Sequence, residues 1–114
     1  MEYQSFAKIN LYLDVLDRRA DGFTNIETVF QTVSLCDRLR VTPQERDLTL
    51  QCSMPGLETG DSNLVCRAAR ALQAATGCSL GASMVLDKHI PVAAGLAGGS
   101  GNAAAALVAL NSLW

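Results

Sequence analysis

Only two lysines, Lys8 and Lys88, and a single histidine, His89, occur in this chain of 114 residues, whose formal net charge is −2. Binding to nucleic acid or to an anionic membrane surface calls for clustered lysine and arginine, so this balance gives no ground for either. The chain also lacks a Cys-x-x-Cys pair. Its cysteines stand at 36, 52, 66 and 78, a spread that fits neither zinc nor redox motifs and reads as buried free thiols in a reducing compartment. The opening Met1-Glu2-Tyr3-Gln4-Ser5-Phe6 has no basic segment followed by an apolar run, so no secretory signal is read. The long uncharged stretch from His89 to Trp114 holds too many glycines and asparagines to span a membrane. A soluble, cytoplasmic protein is expected. No low-complexity tract argues for disorder, and 49% apolar with 18% charged residues is an ordinary globular composition, one domain or a piece of one.

What the chain does have is concentrated between Pro91 and Asn102. Four of its nine glycines, Gly95, Gly98, Gly99 and Gly101, fall within seven residues that carry no charge, and the run Ala103 to Ala106 follows with high helix propensity. A flexible loop is thus delivered onto a helix N-terminus, where unpaired N–H groups and the helix dipole favour an anion. The small residues let a ligand approach closely, so phosphate is the expected guest, with a plain glycine-rich turn as the alternative.

Read in order, residues 7–16 alternate cleanly: Ala7, Ile9, Leu11, Leu13 and Val15 point one way, and Lys8, Asn10, Tyr12 and Asp14 the other. This predicts a strand with one buried face. Lys8 and Asn10 then sit side by side, either as part of a solvated polar face or as a pair able to reach one ligand. A turn at Asp21-Gly22 leads to a second strand over residues 25–35. Residues 37–42 and 48–52 read as two short strands joined in a hairpin at the sheet edge. Asp61 or Ser62 can cap a helix whose apolar residues Leu64, Val65, Ala68, Ala69, Leu72 and Ala75 recur at helical spacing and which Gly77 closes. Residues 82–90 return to strand, with His89 structural or at the surface. The last helix, from Asn102 to Trp114, is apolar almost all round and has no terminating Gly, Pro or basic turn. Burial on several sides, against structure beyond Trp114, is therefore expected.

Two familiar phosphate motifs are excluded by inspection. A Walker A loop needs a lysine that this loop lacks, and a dinucleotide fingerprint needs Gly-x-Gly-x-x-Gly after the first strand of a βαβ unit. The loop Pro91-Val-Ala-Ala-Gly-Leu-Ala-Gly-Gly-Ser-Gly-Asn-Ala-Ala instead resembles the phosphate-binding motif of the galactokinase, homoserine, mevalonate and phosphomevalonate (GHMP) kinases. Ala7-Lys8-Ile9-Asn10-Leu11, Arg19-Ala20-Asp21-Gly22-Phe23 with Glu27-Thr28-Val29-Phe30-Gln31, and Asp61-Ser62-Asn63-Leu64-Val65 extend the resemblance over essentially the whole chain. These stretches are similar to the branch of the family that serves non-mevalonate isoprenoid precursor biosynthesis. That branch transfers the γ-phosphate of ATP to the 2-hydroxyl of a cytidine diphosphate-linked methylerythritol.

The resemblance implies an α+β fold, a mainly antiparallel sheet with helices packed on one face. It implies that Lys8 is the catalytic lysine and Asn10 a substrate contact. Phe23 would stack on cytosine with Thr24 beside it. ATP would be held by Pro91, Val92, Ala93, Ala94, Gly95, Leu96, Ala97, Gly98, Gly99, Ser100, Gly101 and Asn102, with Asn63, Leu64 and Lys88 near the base and Mg²⁺ accompanying the nucleotide. Family members are more than twice as long and add a catalytic aspartate and a C-terminal domain. Residues 1–114 would then be the N-terminal, ATP-binding domain, without turnover by itself. Two positions depart from the family pattern. Thr24 stands where a histidine is usual, which leaves room for another acceptor. Gly101 stands where serine or alanine is usual, either removing a hydroxyl from the phosphate site or acting only as small filler.

Overall fold

A computed structural model describes all 114 residues. The order of elements is β1 (Glu2–Arg18), β2 (Thr24–Gln44), β3 (Leu48–Cys52), α1 (Leu64–Thr76), β4 (Gly81–Asp87) and α2 (Gly98–Leu113). The four strands form one sheet in the order β1-β2-β4-β3. The β1–β2 and β2–β4 pairs are antiparallel, and β3 lies parallel to β4. The sheet is thus mixed, though mainly antiparallel as expected.

Two expectations are corrected here. Residues 25–35 and 37–42 belong to one strand of 21 residues, because nothing between them breaks the extended backbone. The edge hairpin does not form either, since β4 inserts between β2 and β3. A parallel neighbour needs a long crossover. The chain from Ser53 through α1 supplies it, so the turn at Pro43–Asp47 changes direction without pairing its flanks.

The core lies where both helices cover one face of the β2-β4-β3 end. Leu39, Val41, Leu50, Ala82, Met84 and Leu86 from the sheet meet Val65, Cys66 and Ala69 of α1 and Ala106, Ala109 and Leu110 of α2. Register explains the match: Leu39 pairs with Leu86, and Val41 with Met84. The intervening Arg38, Arg40 and Thr42 are exposed on the other face, so period-two alternation decides which side chains the helices cover. Each fully buried Leu or Met contributes roughly 1.5–3 kcal/mol.

Helix α1 is capped at Asn63, one residue after Ser62 and two after Asp61, the expected caps. The Asn63 side chain accepts the N–H of Val65, and the helix closes on Gly77 in the left-handed conformation. Helix α2 begins at Gly98, a full turn before the expected start, and Trp114 ties its end to the sheet by donating to the Gly81 carbonyl. It buries one face only, for Leu107 and Val108 are exposed. Of the four free cysteines only Cys66 is buried, the others being half-buried. Burial, then the Asp61 charge, push the Cys66 thiol above its ordinary range, so it stays protonated and inert.

Beyond Ala7 the first strand leaves this core. From Ile9 to Leu35 the β1–β2 ribbon has no buried residue, and Leu11, Leu13 and Val15 are more than half exposed. The buried face read from the alternation is therefore confined to its first member, Ala7. Past that point the ribbon runs beyond the layer that the helices cover.

Candidate functional site

Strand β4 carries the chain into the glycine loop, and the loop is held from both sides. On the core side stands Asp37, fully buried on the same strand face as Leu39 and Val41. Its Oδ1 accepts the backbone N–H groups of His89 (2.6 Å) and Ile90 (2.8 Å). Its Oδ2 accepts from the Lys88 ammonium and from Asn102 Nδ2 at 2.9 Å, and Lys88 Nζ also donates to Asn102 Oδ1 at 3.0 Å. Every polar atom of the cluster has a partner, which a buried charge requires. Burial pushes the Asp37 carboxyl up, but the N–H of Ile90, the Lys88 ammonium, the N–H of His89 and Asn102 together outweigh it and hold the carboxyl below its ordinary range. One carboxylate thus joins β2, the end of β4 and the first turns of α2.

On the ribbon side stands Lys8. Its backbone N–H donates to Leu96 O at 3.1 Å, and its ammonium donates to Gly95 O at 2.9 Å and to Asn10 Oδ1 at 2.8 Å. The Phe30 ring centroid lies 5.1 Å from Nζ, within cation–π range. Lys8 and Asn10 do share a face, as the alternation predicts, and the loop is pinned to β1 through both main chain and side chain of one residue.

Between these anchors the loop winds with alternating residues in the left-handed region: Ala93 (φ 57°), Gly95 (φ 74°) and Ala97 (φ 60°). For alanine this costs about 1–2 kcal/mol per residue, and strained backbone of this kind collects at ligand sites. Ala97 ends the loop as the first residue of the α2 cap, with no side-chain hydrogen bond to the helix. The first intrahelical bond runs from Gly101 N–H to Ala97 O. The N–H groups of Gly98, Gly99 and Ser100 therefore precede the ladder and are free of it. A Cβ at Gly98 would lie 2.9 Å from Lys88 Nζ and 3.0 Å from Ile90 Cγ2, so only glycine lets the helix start this close to the Asp37 cluster.

A cavity of about 420 Å³ opens over this turn, walled by residues 91–100 with Asn63, Leu64, Lys88 and Asn102, and additionally by Leu57, Glu58, Ser62 and Leu86. The positions foreseen for a nucleotide thus surround one space, with one exception: Gly101 faces β1. A Cβ there would meet Ser5 Oγ at 2.6 Å, so the structure supports filler rather than a lost phosphate ligand at this position. Two others line the cavity with their polar ends turned away from it, into the Asp37 cluster. The Lys88 side chain is 3% exposed, and Asn102 is buried with its carboxamide in the Asp37 cluster.

Phe23 and Thr24 are not brought beside Lys8. Thr24 pairs with Arg18 at the tip of the ribbon, whereas Lys8 pairs with Thr32, a path of ten strand residues, on the order of 30 Å. The Phe23 ring is exposed there. Asp37 and Thr28 had no place in the sequence-derived site. Asp37 was detectable as a lone carboxylate in phase with Leu35, Leu39 and Val41, a charge on a core face that demands a buried partner. Thr28 carried no comparable signal, being one β-branched residue in a strand full of them.

Comparison with known proteins agrees with this geometry. A sequence profile of the GHMP kinases N terminal domain matches residues 63–114. A 4-diphosphocytidyl-2-C-methyl-D-erythritol kinase of Symbiobacterium thermophilum is 52% identical over 114 residues, 100% of this chain and 40% of the relative. One from Synechococcus sp. is 50% identical over 110 residues, covering 95% of this chain and 36% of its own length. The crystal structure of a 4-(cytidine 5'-diphospho)-2C-methyl-D-erythritol kinase superposes with a TM-score of 0.85 at 43% identity, over 100% of this chain and 41% of that one. The mevalonate kinase of Methanococcus jannaschii shares the fold alone, with a TM-score of 0.73 at 12% identity, over 99% of this chain and 40% of that one. The chain spans about 40% of the length of the curated relative it matches from end to end. The stretch that holds α1, β4, the glycine loop and α2 thus matches the GHMP kinases N terminal domain, and the whole chain shares the fold of a solved kinase at 43% identity.

Proposed function

We propose that this chain is the N-terminal, ATP-binding domain of a small-molecule kinase that phosphorylates the 2-hydroxyl of a cytidine diphosphate-linked methylerythritol. The observation that carries the reading is the α2 start. Three N–H groups stand free of the helix ladder at the wall of a 420 Å³ cavity, behind a loop whose alternating left-handed residues turn its backbone toward the same space. Relatives at about half identity are named 4-diphosphocytidyl-2-C-methyl-D-erythritol kinase.

Phosphoryl transfer asks the protein mainly for positioning and charge stabilisation. In this reading the N–H groups of Gly98, Gly99 and Ser100 and the α2 dipole bind the ATP phosphates. Asn63 and Leu64 border the base, while Lys88 and Asn102 act through Asp37 to hold the junction rather than by touching the nucleotide. Lys8, on the opposite side of the loop, directs its positive charge at the acceptor hydroxyl and stabilises the alkoxide that develops as the phosphoryl group is taken. Mg²⁺ fits the cavity wall, whose Glu58, Ser62 and Ser100 offer the oxygen ligands it prefers, and it would supply charge neutralisation on the phosphates. The matched relative is about two and a half times as long as the part this chain covers, and we expect residues 1–114 alone to show no turnover.

In a full-length protein carrying this chain, Lys8→Ala is expected to lower kcat by about 10²-fold or more with ATP binding nearly intact. Turnover within a few-fold of wild type would remove Lys8 from the chemistry. A second reading, a GHMP kinase for another acceptor, draws on Thr24 and on the distance of the ribbon tip from Lys8. Parallel assays with the cytidine substrate and with mevalonate-type acceptors separate the two.

A further inference from the structure

Asn10 does not hold Lys8 unaided. Its Nδ2 donates to Thr28 Oγ1 at 2.8 Å, and Thr28 Oγ1 in turn donates to the Tyr12 carbonyl at 2.6 Å. A threonine hydroxyl has one proton. With that proton on Tyr12 O, Thr28 can only accept from Asn10, so the Asn10 amide must present Nδ2 to Thr28 and Oδ1 to the Lys8 ammonium. We infer that Thr28 is a positioning residue that fixes the Asn10 carboxamide and, through it, the direction of the Lys8 ammonium.

The local strand geometry is built for this. Lys8 pairs with Thr32 and Asn10 with Phe30, but Tyr12 pairs with Val29. Two residues of β1 thus advance against one of β2, a bulge at Leu11. Bulges re-aim side chains and carbonyls beside functional sites, and this one lets Asn10 and the carbonyl of Tyr12 meet the same Thr28 hydroxyl. Thr28 and Phe30 each reach diagonally across the pair, Thr28 to Asn10 and Phe30 to Lys8. The ammonium is consequently surrounded by an amide oxygen, the Gly95 carbonyl and an aromatic face. Without Thr28 the amide is free to turn its NH₂ toward the ammonium, a donor facing a donor.

This inference rests on the kinase reading of Lys8, and its test keeps the two apart. In the full-length protein, Thr28→Val preserves shape and strand propensity while removing the hydroxyl. Its kcat is expected to fall about 10- to 100-fold, the scale of a small misplacement of a reacting group. KM for ATP is expected to stay unchanged, because the loop is fixed by the Lys8 main chain and Asp37. Thr28→Ser keeps the hydroxyl that accepts from Asn10 and donates to Tyr12 O and should retain turnover to within about threefold of wild type, and Thr28→Val in an Asn10→Ala background should cost little more than Asn10→Ala alone. Wild-type kcat in Thr28→Val, alongside an inactive Lys8→Ala, would overturn the positioning role and leave the kinase reading standing. An additive double mutant would overturn it too, by showing that Thr28 acts independently of Asn10. Near-normal turnover in Lys8→Ala would overturn both.

Discussion

The two ends of the β1–β2 pair make an instructive contrast. Where β2 lies beside β4, Leu39 and Val41 are buried beneath α1 and α2, and the fully partnered ion cluster at Asp37 closes the layer. Where β2 lies beside β1 alone, the same alternation leaves Leu11, Leu13, Val15 and Phe30 in the open. Both stretches are extended and rich in apolar residues, so strand formation does not distinguish them; a second layer does. The covered end holds the glycine loop and the ribbon carries Lys8 and Asn10, and Lys8 joins the two by donating to the Gly95 and Leu96 carbonyls.

The sharpest way to break the contrast is Asp37→Ala. It leaves the Lys88 ammonium buried beside two orphaned N–H groups, and a cost of about 3–5 kcal/mol is expected in urea unfolding. Next comes a matched pair of truncations. Leu39→Ala should cost about 2–5 kcal/mol, whereas Leu13→Ala on the ribbon should stay within about 0.5 kcal/mol. Equal losses would show that the ribbon is covered in solution.

Acidification sharpens the same division. Because the Asp37 carboxyl is held below its ordinary value in the fold, its contribution is complete above the unfolded pKa of about 3.9 and is lost as pH falls through the lower folded value. The stability gap between wild type and Asp37→Asn should be flat above about pH 5 and shrink below about 3.9. A gap that instead widens toward low pH would contradict the depressed carboxyl. The smallest effect is expected at Ala97→Gly. Removing the left-handed penalty at φ 60° should raise stability by about 1 kcal/mol, seen as a higher melting temperature.

Much of this was legible in the residues themselves. Period two gave the pairing of Lys8 with Asn10, helical spacing and Gly77 gave α1, and the glycines marked the loop. What escaped depended on neighbours distant in sequence. The start of α2 was misjudged because glycines discourage a helix by propensity, yet here Gly98, Gly99 and Gly101 lie in its first turn, where Lys88 crowds Gly98 and Ser5 of β1 crowds Gly101. The edge hairpin failed for a topological reason: residues 48–52 find a parallel partner more than 30 positions later, and nothing local announces it. The buried face read for β1 assumed a covering layer that alternation cannot supply.

One property of β4 bears on how this protein breathes. From Ala82 to Leu86 it is paired on both edges, antiparallel to β2 and parallel to β3, and it leads straight into the loop. Amide protons in such a strand exchange through the rarest openings, close to global unfolding, while a ribbon paired on one edge opens at much lower free energy. The β1–β2 ribbon can therefore fray and re-form many times while β4 and the loop it feeds stay closed, so the two halves of the sheet keep different clocks.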